Sequence, residues 1–140
     1  MPFIKLVVDA NILFSFFRPD SERKHLVEGL LISDCELVSP EFVIEELLSD
    51  KEKIKKFSGL NESEFSELFL ILEDEIRVVP KSEYDKFLSD AIKLSPHIKD
   101  APYFALALSL NSPIWSDEKA FKKQSKVKIF STSDVSKLTR

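Results

Sequence analysis

Short apolar runs separated by longer amphipathic stretches make up most of the chain. The first run, Phe3–Val8, is rich in β-branched residues and ends at Asp9. Such a run is typical of a central parallel strand that is covered on both faces. The pattern predicts four further strands, at Glu36–Val38, Ile76–Val79, Pro113–Ser116 and Val127–Phe130.

Helical patterns fill the intervals between these strands. One apolar stripe at helical spacing consists of Phe65, Leu68, Phe69 and Leu72. Ser39-Pro40 has the form of a helix opening, with a capping residue before proline. The predicted helices are Asn11–Phe17, Ser21–Ile32, Pro40–Asp50, Lys51–Phe57, Glu62–Asp74, Ser82–Leu94, Ala101–Leu110 and Glu118–Lys123. Strands alternating with helices predict a three-layer α/β/α sandwich with a mostly parallel five-stranded sheet, formed by a single domain over residues 1–140.

Composition excludes several classes of protein. A single cysteine, Cys35, provides no disulfide framework, so a reducing cytoplasm is the expected location. No apolar run approaches the roughly 20 residues of a membrane helix, and no membrane partner is expected. The net charge of −4 argues against a protein that coats nucleic acid, but it allows an acidic site that holds divalent cations. Two glycines exclude a glycine-rich phosphate loop, and two histidines exclude a histidine-rich zinc site.

Acidic residues follow predicted strands or open predicted helices at four places. Asp9 follows the first strand, Glu46 lies in the helix after the second, Asp100 opens a helix, and Asp117 and Glu118 follow the fourth strand. Taken singly, Asp100 and Asp117 are explained as helix caps, and Asp9 as a turn residue. Independent caps have no reason to converge, however, and the carboxyl ends of parallel strands border the ligand crevice of an open α/β sheet. The set therefore favours a site for Mg²⁺ or Mn²⁺, which prefer oxygen ligands.

Glu46 is the acid that is hardest to explain as a surface residue. It shares a helical face with Phe42 and Val43, so its side chain is expected to point toward the core. Glu45, one step around the helix, is the expected solvated neighbour. Trp115 is expected to be buried in the fourth strand.

The segments around these acids resemble the motifs of the PIN-domain family of metal-dependent ribonucleases. The resemblance covers nearly the whole chain and rests on four segments in order, Val7–Leu13, Ser39–Leu47, Lys99–Leu108 and Ile114–Phe121. It implies a twisted, mostly parallel five-stranded sheet with an acidic pocket for one or two Mg²⁺ or Mn²⁺ ions. It also implies endonucleolytic hydrolysis of RNA. Some relatives are VapC-type toxins, which raises the expectation of an antitoxin partner, and many relatives form homodimers.

The resemblance assigns roles to individual residues. Asp9, Glu46 and Asp100 would ligate metal directly, and Asp117 or Glu118 would act through water. Asn11 and Ser116 would orient these ligands by hydrogen bonds. The catalytic set is then Asp9, Glu46, Asp100 and Asp117.

The chain departs from the family pattern at two positions. The usual spacing of the fourth motif places the acid at Glu118, but Asp117 is slightly preferred because it lies nearer the strand end. His97 stands where some relatives carry a further acid.

Two lysine-rich stretches are candidates for contact with RNA. The run beside the fourth motif, with Lys119, Lys122 and Lys123, is the predicted RNA-binding surface, and the run Lys51–Lys56 is a second basic stretch.

Two other functions are compatible with the sequence. One alternative is an aspartyl-phosphate phosphatase of the haloacid dehalogenase type with Asp9 as nucleophile, although Asn11 would be a poor general acid. The other is a catalytically inactive PIN-like interaction module.

Overall fold

Five parallel strands form the centre of the fold. The computed structural model of the chain describes residues 4–18, 21–31 and 35–138. The strands lie in the order β3-β2-β1-β4-β5, and every neighbouring pair is parallel. Their bounds are β1 Ile4–Val8, β2 Cys35–Pro40, β3 Arg77–Val79, β4 Ile114–Trp115 and β5 Ile129–Phe130. The predicted α/β architecture is therefore confirmed.

Helices cover the sheet and connect its strands. They are α1 Ala10–Phe14, α2 Glu22–Leu31, α3 Phe42–Ser49, α4 Lys51–Ser58, α5 Glu62–Glu75, α6 Leu88–Leu94, α7 Ala101–Leu110 and α8 Thr132–Leu138. Short 3₁₀ helices lie at Ser15–Phe17, Lys81–Glu83, Asp85–Phe87, Ile98–Asp100 and Lys119–Lys123. Among the described residues, no helix is both long enough and apolar enough to span a bilayer.

The core lies on both faces of the central strand. Leu6, Val7 and Val8 of β1 are fully buried, as expected for a strand covered on two sides. Trp115 is also fully buried, as predicted, and its indole N–H donates to Thr132 Oγ1 at 3.2 Å. The predicted stripe on α5 packs inward, with two members buried and two half-buried: Phe65, Leu72, Leu68 and Phe69.

The strand order creates a crevice between β1 and β4. From β1 the chain builds outward through β2 and β3 on one side, and through β4 and β5 on the other. Connections therefore diverge on either side of the β1–β4 pair, which is held by the register Val7↔Ile114 and Val8↔Trp115. Ligands of open α/β sheets bind at such a switch point, beyond the carboxyl ends of the strands.

The predicted helix opening at Ser39-Pro40 is wrong. Both residues lie in β2, where Pro40 pairs with Val79 at the strand end, and α3 begins only at Phe42. The Ser39 hydroxyl caps no helix and instead donates to the Val8 carbonyl at 2.9 Å. A proline is compatible with this place because the end of a strand tolerates the loss of one N–H donor.

Several other elements also differ from the predictions in their bounds or their geometry. The predicted helix Ser82–Leu94 is regular only in α6, because Tyr84 leaves helical geometry (φ −130°, ψ 0°) and buries its ring. Glu118–Lys123 contains a 3₁₀ helix, and α8 was not predicted. The predicted starts or ends at Phe3 and Ile32 lie outside the described residues.

Candidate active site

Asp9 is a buried carboxyl at the carboxyl end of β1. It caps α1 by accepting the Ile12 N–H at 3.1 Å, and only 5% of its surface is exposed. Burial raises the pKa of Asp9 from its ordinary value of 3.8 to about 6, although hydrogen bonds from Ser116 and the backbone oppose this rise. Among the described residues no cation forms an ion pair with it, so its ionised form is poorly compensated.

Glu46 points inward from α3, as its helical spacing predicts. Its side chain is half-buried and accepts a short hydrogen bond from the Tyr103 hydroxyl, whereas Glu45 is exposed. Burial raises the pKa of Glu46, and the Tyr103 bond lowers it by a smaller amount. The carboxylate is thus oriented by α7, the helix that lies over β1, β2 and β4.

Asp100 precedes α7 without capping it. It occupies the N-cap position, but its side chain makes no capping hydrogen bond, so the explanation of Asp100 as a simple cap has no support. Burial raises the pKa of Asp100; His97 and Lys99 lower it, and the charge of Glu118 raises it. These groups line a cavity of about 210 Å³ whose wall includes Asn11, His97, Lys99, Asp100, Glu118 and Phe121.

The Tyr103 hydroxyl is bonded to one acid and lies within the electrostatic influence of two others. It donates to Glu46. Its pKa is raised by burial and by the negative charges of Glu46, Asp9 and Asp100. The three acids come from the end of β1, the middle of α3 and the start of α7, so the fold brings together residues that are far apart in sequence.

The carboxylates suit Mg²⁺ or Mn²⁺, although they are not arranged as a closed cage. Within the described ranges, no three Asp, Glu, His or Cys side chains lie close enough to hold a metal ion as they stand. Mg²⁺ is commonly bound by one or two carboxylates and keeps several waters. The all-oxygen donors, and the buried carboxyl of Asp9 that has no ion pair among the described residues, therefore fit a hydrated divalent cation.

Asp117 and Glu118 differ sharply in their surroundings. Both oxygens of Asp117 are occupied, since it accepts from Arg23 Nε at 3.1 Å and Nη2 at 2.7 Å, from the Thr132 N–H at 2.7 Å, and from the Thr132 hydroxyl. Burial alone would raise the pKa of Asp117, but the bonds from Thr132 and Arg23 outweigh it and lower that pKa. Glu118 instead faces Asp100 across the cavity. We call Asp9, Glu46, Asp100 and Glu118 the acidic cleft, and the Asp117–Arg23–Thr132 set the Asp117 clamp.

Ser116 links two members of the acidic cleft. Its buried hydroxyl accepts the Glu118 N–H at 3.1 Å and hydrogen-bonds the carboxyl of Asp9. Asn11 is exposed at the cavity wall. Ser116 therefore contacts Asp9 and Glu118, and Asn11 shares a cavity wall with Asp100 and Glu118, while the orienting role of both residues stays a prediction.

Comparison with known proteins identifies the family. The model of the PIN domain family matches residues 7–137. The chain belongs to the PIN domain family. No curated protein matches this PIN domain. Among solved structures it is similar to a chain in the crystal structure of VapBC2 from Rickettsia felis bound to a DNA fragment from their promoter, with a TM-score of 0.67 over 91% of this chain and 98% of that chain. The sequence identity is 14%, so this likeness is one of fold.

Sequence reasoning missed three residues around the predicted acids. Lys99 lines the cavity, and its positive charge lowers the pKa of both Glu46 and Asp100. Tyr103 holds Glu46, and Arg23 closes the Asp117 clamp. The position of Tyr103 one helical turn after Asp100 was the only local signal, because residues three apart share a helix face.

The predicted RNA-binding lysines lie outside the acidic cavity. Lys119, Lys122 and Lys123 are exposed on the 3₁₀ helix after β4, and none of them lines the cavity wall. Their contact with RNA stays a prediction.

Proposed function

We propose that this PIN domain is an endoribonuclease that depends on Mg²⁺ or Mn²⁺ and hydrolyses RNA phosphodiester bonds. The observation that supports the proposal is the placement of three acids: Asp9 is buried at the end of β1 beside the β1–β4 crevice, Glu46 accepts a hydrogen bond from Tyr103 of α7, and Asp100 lies at the start of the same helix. Buried acids without matched cations are costly unless a ligand uses them. A bound divalent cation would supply the missing positive charge.

Glu118 is the fourth acid of the proposed site. Asp117 was the preferred choice from the sequence, but its oxygens already serve Arg23 and Thr132. Glu118 lines the cavity with Asp100, and its backbone N–H is held by Ser116. The proposal therefore places Glu118 in the acidic cleft and gives Asp117 a structural role.

Each residue of the proposed site has a role that follows from its position. Asp9, Glu46 and Asp100 would hold the cation, which when bound lowers the pKa of a water and neutralises charge on the phosphate. Ser116 keeps the Asp9 carboxyl oriented, and Tyr103 does the same for Glu46. Lys99, on the cavity wall, offers a positive charge to the phosphate.

We further propose that the protein is the toxin of a toxin–antitoxin pair, controlled by an antitoxin protein. Support comes from membership of the PIN domain family and from the shared fold with a chain of a VapBC2 assembly. Induced expression of the protein alone should arrest bacterial growth, and the Asp9→Asn variant should not. Growth unaffected by the active enzyme would contradict the toxin assignment.

RNA cleavage by the purified protein tests the enzymatic proposal. Single-stranded RNA should be cut with Mn²⁺ or Mg²⁺ and left intact with EDTA. The Asp9→Asn variant should lose at least about a hundredfold in rate, because it removes a metal ligand while asparagine still caps α1. Cleavage that survives EDTA, or that persists in this variant, would contradict the proposal.

An inactive interaction module is the second candidate, favoured by one observation. Glu46 is held by Tyr103, and the described residues contain no preassembled group of three metal ligands. Lack of both cleavage and Mn²⁺ binding in the purified protein would select this candidate. The family assignment leaves the phosphatase alternative without support.

A further inference from the structure

A second concave surface adjoins the acidic cleft. It is a groove of about 380 Å³ between the α1 region and α4, and its wall includes Asn11, Phe14, Arg18, Lys53, Ile54 and Phe57. Asn11 lines both this groove and the acidic cavity, so the two lie on either side of this residue. We call this surface the basic groove, because Arg18, Arg23 and Lys53 line it and no carboxylate among the described residues does.

Two cations of the basic groove are available to a ligand. In the lysine-rich helix α4, Lys51 and Lys55 form ion pairs with Glu62, but Lys53 is exposed and forms none with any described residue. Arg18 is likewise exposed and makes no ion pair within the described part of the chain. This concentration of free positive charge stands out on a protein whose net charge is −4. It complements a polyanion.

An exposed aromatic ring lies beside these cations. Phe57 leaves 68% of its surface in solvent. It follows Lys53 by four residues on α4, so the two side chains share a helix face. Proteins that bind single strands combine cations along the backbone path with aromatic rings on which bases stack. A groove for an apolar peptide would not require the unpaired cations.

We propose that the basic groove binds single-stranded nucleic acid and leads it into the acidic cleft. Arg18 and Lys53 contact phosphates, and a base stacks on Phe57. Asn11 marks the point at which the strand passes to the cleft. The inference rests on the proposed function in one respect, since it takes the bound strand to be the substrate.

Binding measured without divalent metal tests the groove separately from catalysis. The probe is a fluorescein-labelled single-stranded RNA of about 12 nucleotides in EDTA, followed by anisotropy over a series of salt concentrations. Each lost phosphate contact should reduce the slope of log K against log[salt] by about 0.7. Lys53→Ala and Arg18→Ala should each show this reduction. The matched control is Lys56→Ala, on the same helix but outside the groove wall.

The stacking contact has its own matched pair of variants. Phe57→Ala should weaken binding about fivefold or more, since one base–aromatic stack accounts for at least that factor. Phe57→Tyr should restore it. The same two variants should bind an abasic strand equally well, because that strand has no base to stack.

The outcomes separate the two proposals. Reduced affinity in the groove variants with normal affinity in Lys56→Ala supports the groove, even if no RNA is cut. Wild-type affinity and salt slope in Lys53→Ala, Arg18→Ala and Phe57→Ala would overturn it, even if RNA is cut. If Phe57→Ala lost the same factor in affinity for normal and abasic strands, the stacking contact would be overturned. The groove would then be better suited to an apolar peptide.

Discussion

The acidic cleft and the Asp117 clamp begin at adjacent residues but have opposite electrostatic character. Asp117 accepts hydrogen bonds on both oxygens and is paired with Arg23, and its pKa is lowered. Asp9 is more deeply buried, has no described ion pair, and its pKa is raised to about 6. The clamp pairs its carboxylate with a guanidinium, whereas no described residue forms an ion pair with an acid of the cleft. Two acids at the end of neighbouring strands therefore differ in the number of partners that they have in the protein, which is the basis for proposing a structural role for Asp117 and a ligand-binding role for Asp9.

The largest expected effect is the pH dependence caused by Asp9 in the metal-free protein. Its folded pKa of about 6 exceeds the ordinary 3.8, so the folded state holds the proton more tightly. Ionisation therefore costs stability, which falls as pH rises from about 4 to 6, by about 3 kcal/mol in total. The Asp9→Asn variant has no carboxyl to ionise at this position, so its stability should not show this decrease.

Urea unfolding in EDTA at pH 4 and pH 7 measures this effect. The stability advantage of Asp9→Asn over the wild type should be larger at pH 7 than at pH 4. Asp90→Asn, a change at an exposed residue, should shift neither value by more than about 0.5 kcal/mol. An equal difference at both pH values would show that Asp9 is not a strained carboxylate.

Removal of the Asp117 carboxylate should lower the stability of the protein, whereas Asp9→Asn should raise it at pH 7. Asp117→Ala leaves the Arg23 guanidinium and the Thr132 N–H without their partner, and charged hydrogen bonds contribute about 1.5–3 kcal/mol. The Asp117 side chain is 29% exposed, and solvent screening reduces the expected loss to about 1.5 kcal/mol. Chemical unfolding at pH 7 measures it. A variant as stable as the wild type would remove the structural explanation of Asp117.

The smallest expected effect is the difference in RNA cleavage rate between variants of the adjacent residues Asp117 and Glu118. Glu118→Gln should lower RNA cleavage about tenfold, because it removes a charge from the cleft that acts near the metal. Asp117→Asn keeps the size of the side chain and one of its two acceptor oxygens, and because this residue lies outside the acidic cleft it should lower the rate by less than about threefold. Steady-state cleavage rates at saturating Mn²⁺ compare them. The reverse order would return the fourth ligand to Asp117.

The sequence predicted those features that depend on continuous local patterns. The apolar run before Asp9 identified β1, and the inward face of α3 identified Glu46, because each signal repeats over several residues. The prediction at Ser39-Pro40 was wrong because a serine before a proline is compatible with both a helix start and a strand end. Only the pairing of Pro40 with Val79 distinguishes the two. Helix α8 was missed because its one buried residue, Val135, makes no apolar stripe.

Two sequence signals disagree on the fourth acid, since the usual motif spacing favours Glu118 and nearness to the strand end favours Asp117. The contacts that occupy Asp117 depend on Arg23, which lies 94 positions earlier in the chain, and on the start of an unpredicted helix. Such contacts are set by the crossing of elements in three dimensions, and no local spacing carries them. The closeness of Asp100 to Glu118 is likewise a property of the folded sheet.

The rise in melting temperature with Mn²⁺ tests the central claim, that the acidic cleft binds a divalent cation and the Asp117 clamp does not. Ligand binding to the folded state raises its stability, so wild-type protein should melt higher in a few millimolar Mn²⁺ than in EDTA. Asp100→Asn should melt at or above the wild type in EDTA, because a repelling charge is removed, and should lose most of the Mn²⁺ shift. Asp117→Asn should keep the full shift. Equal Mn²⁺ shifts in the wild type and Asp100→Asn would contradict the account.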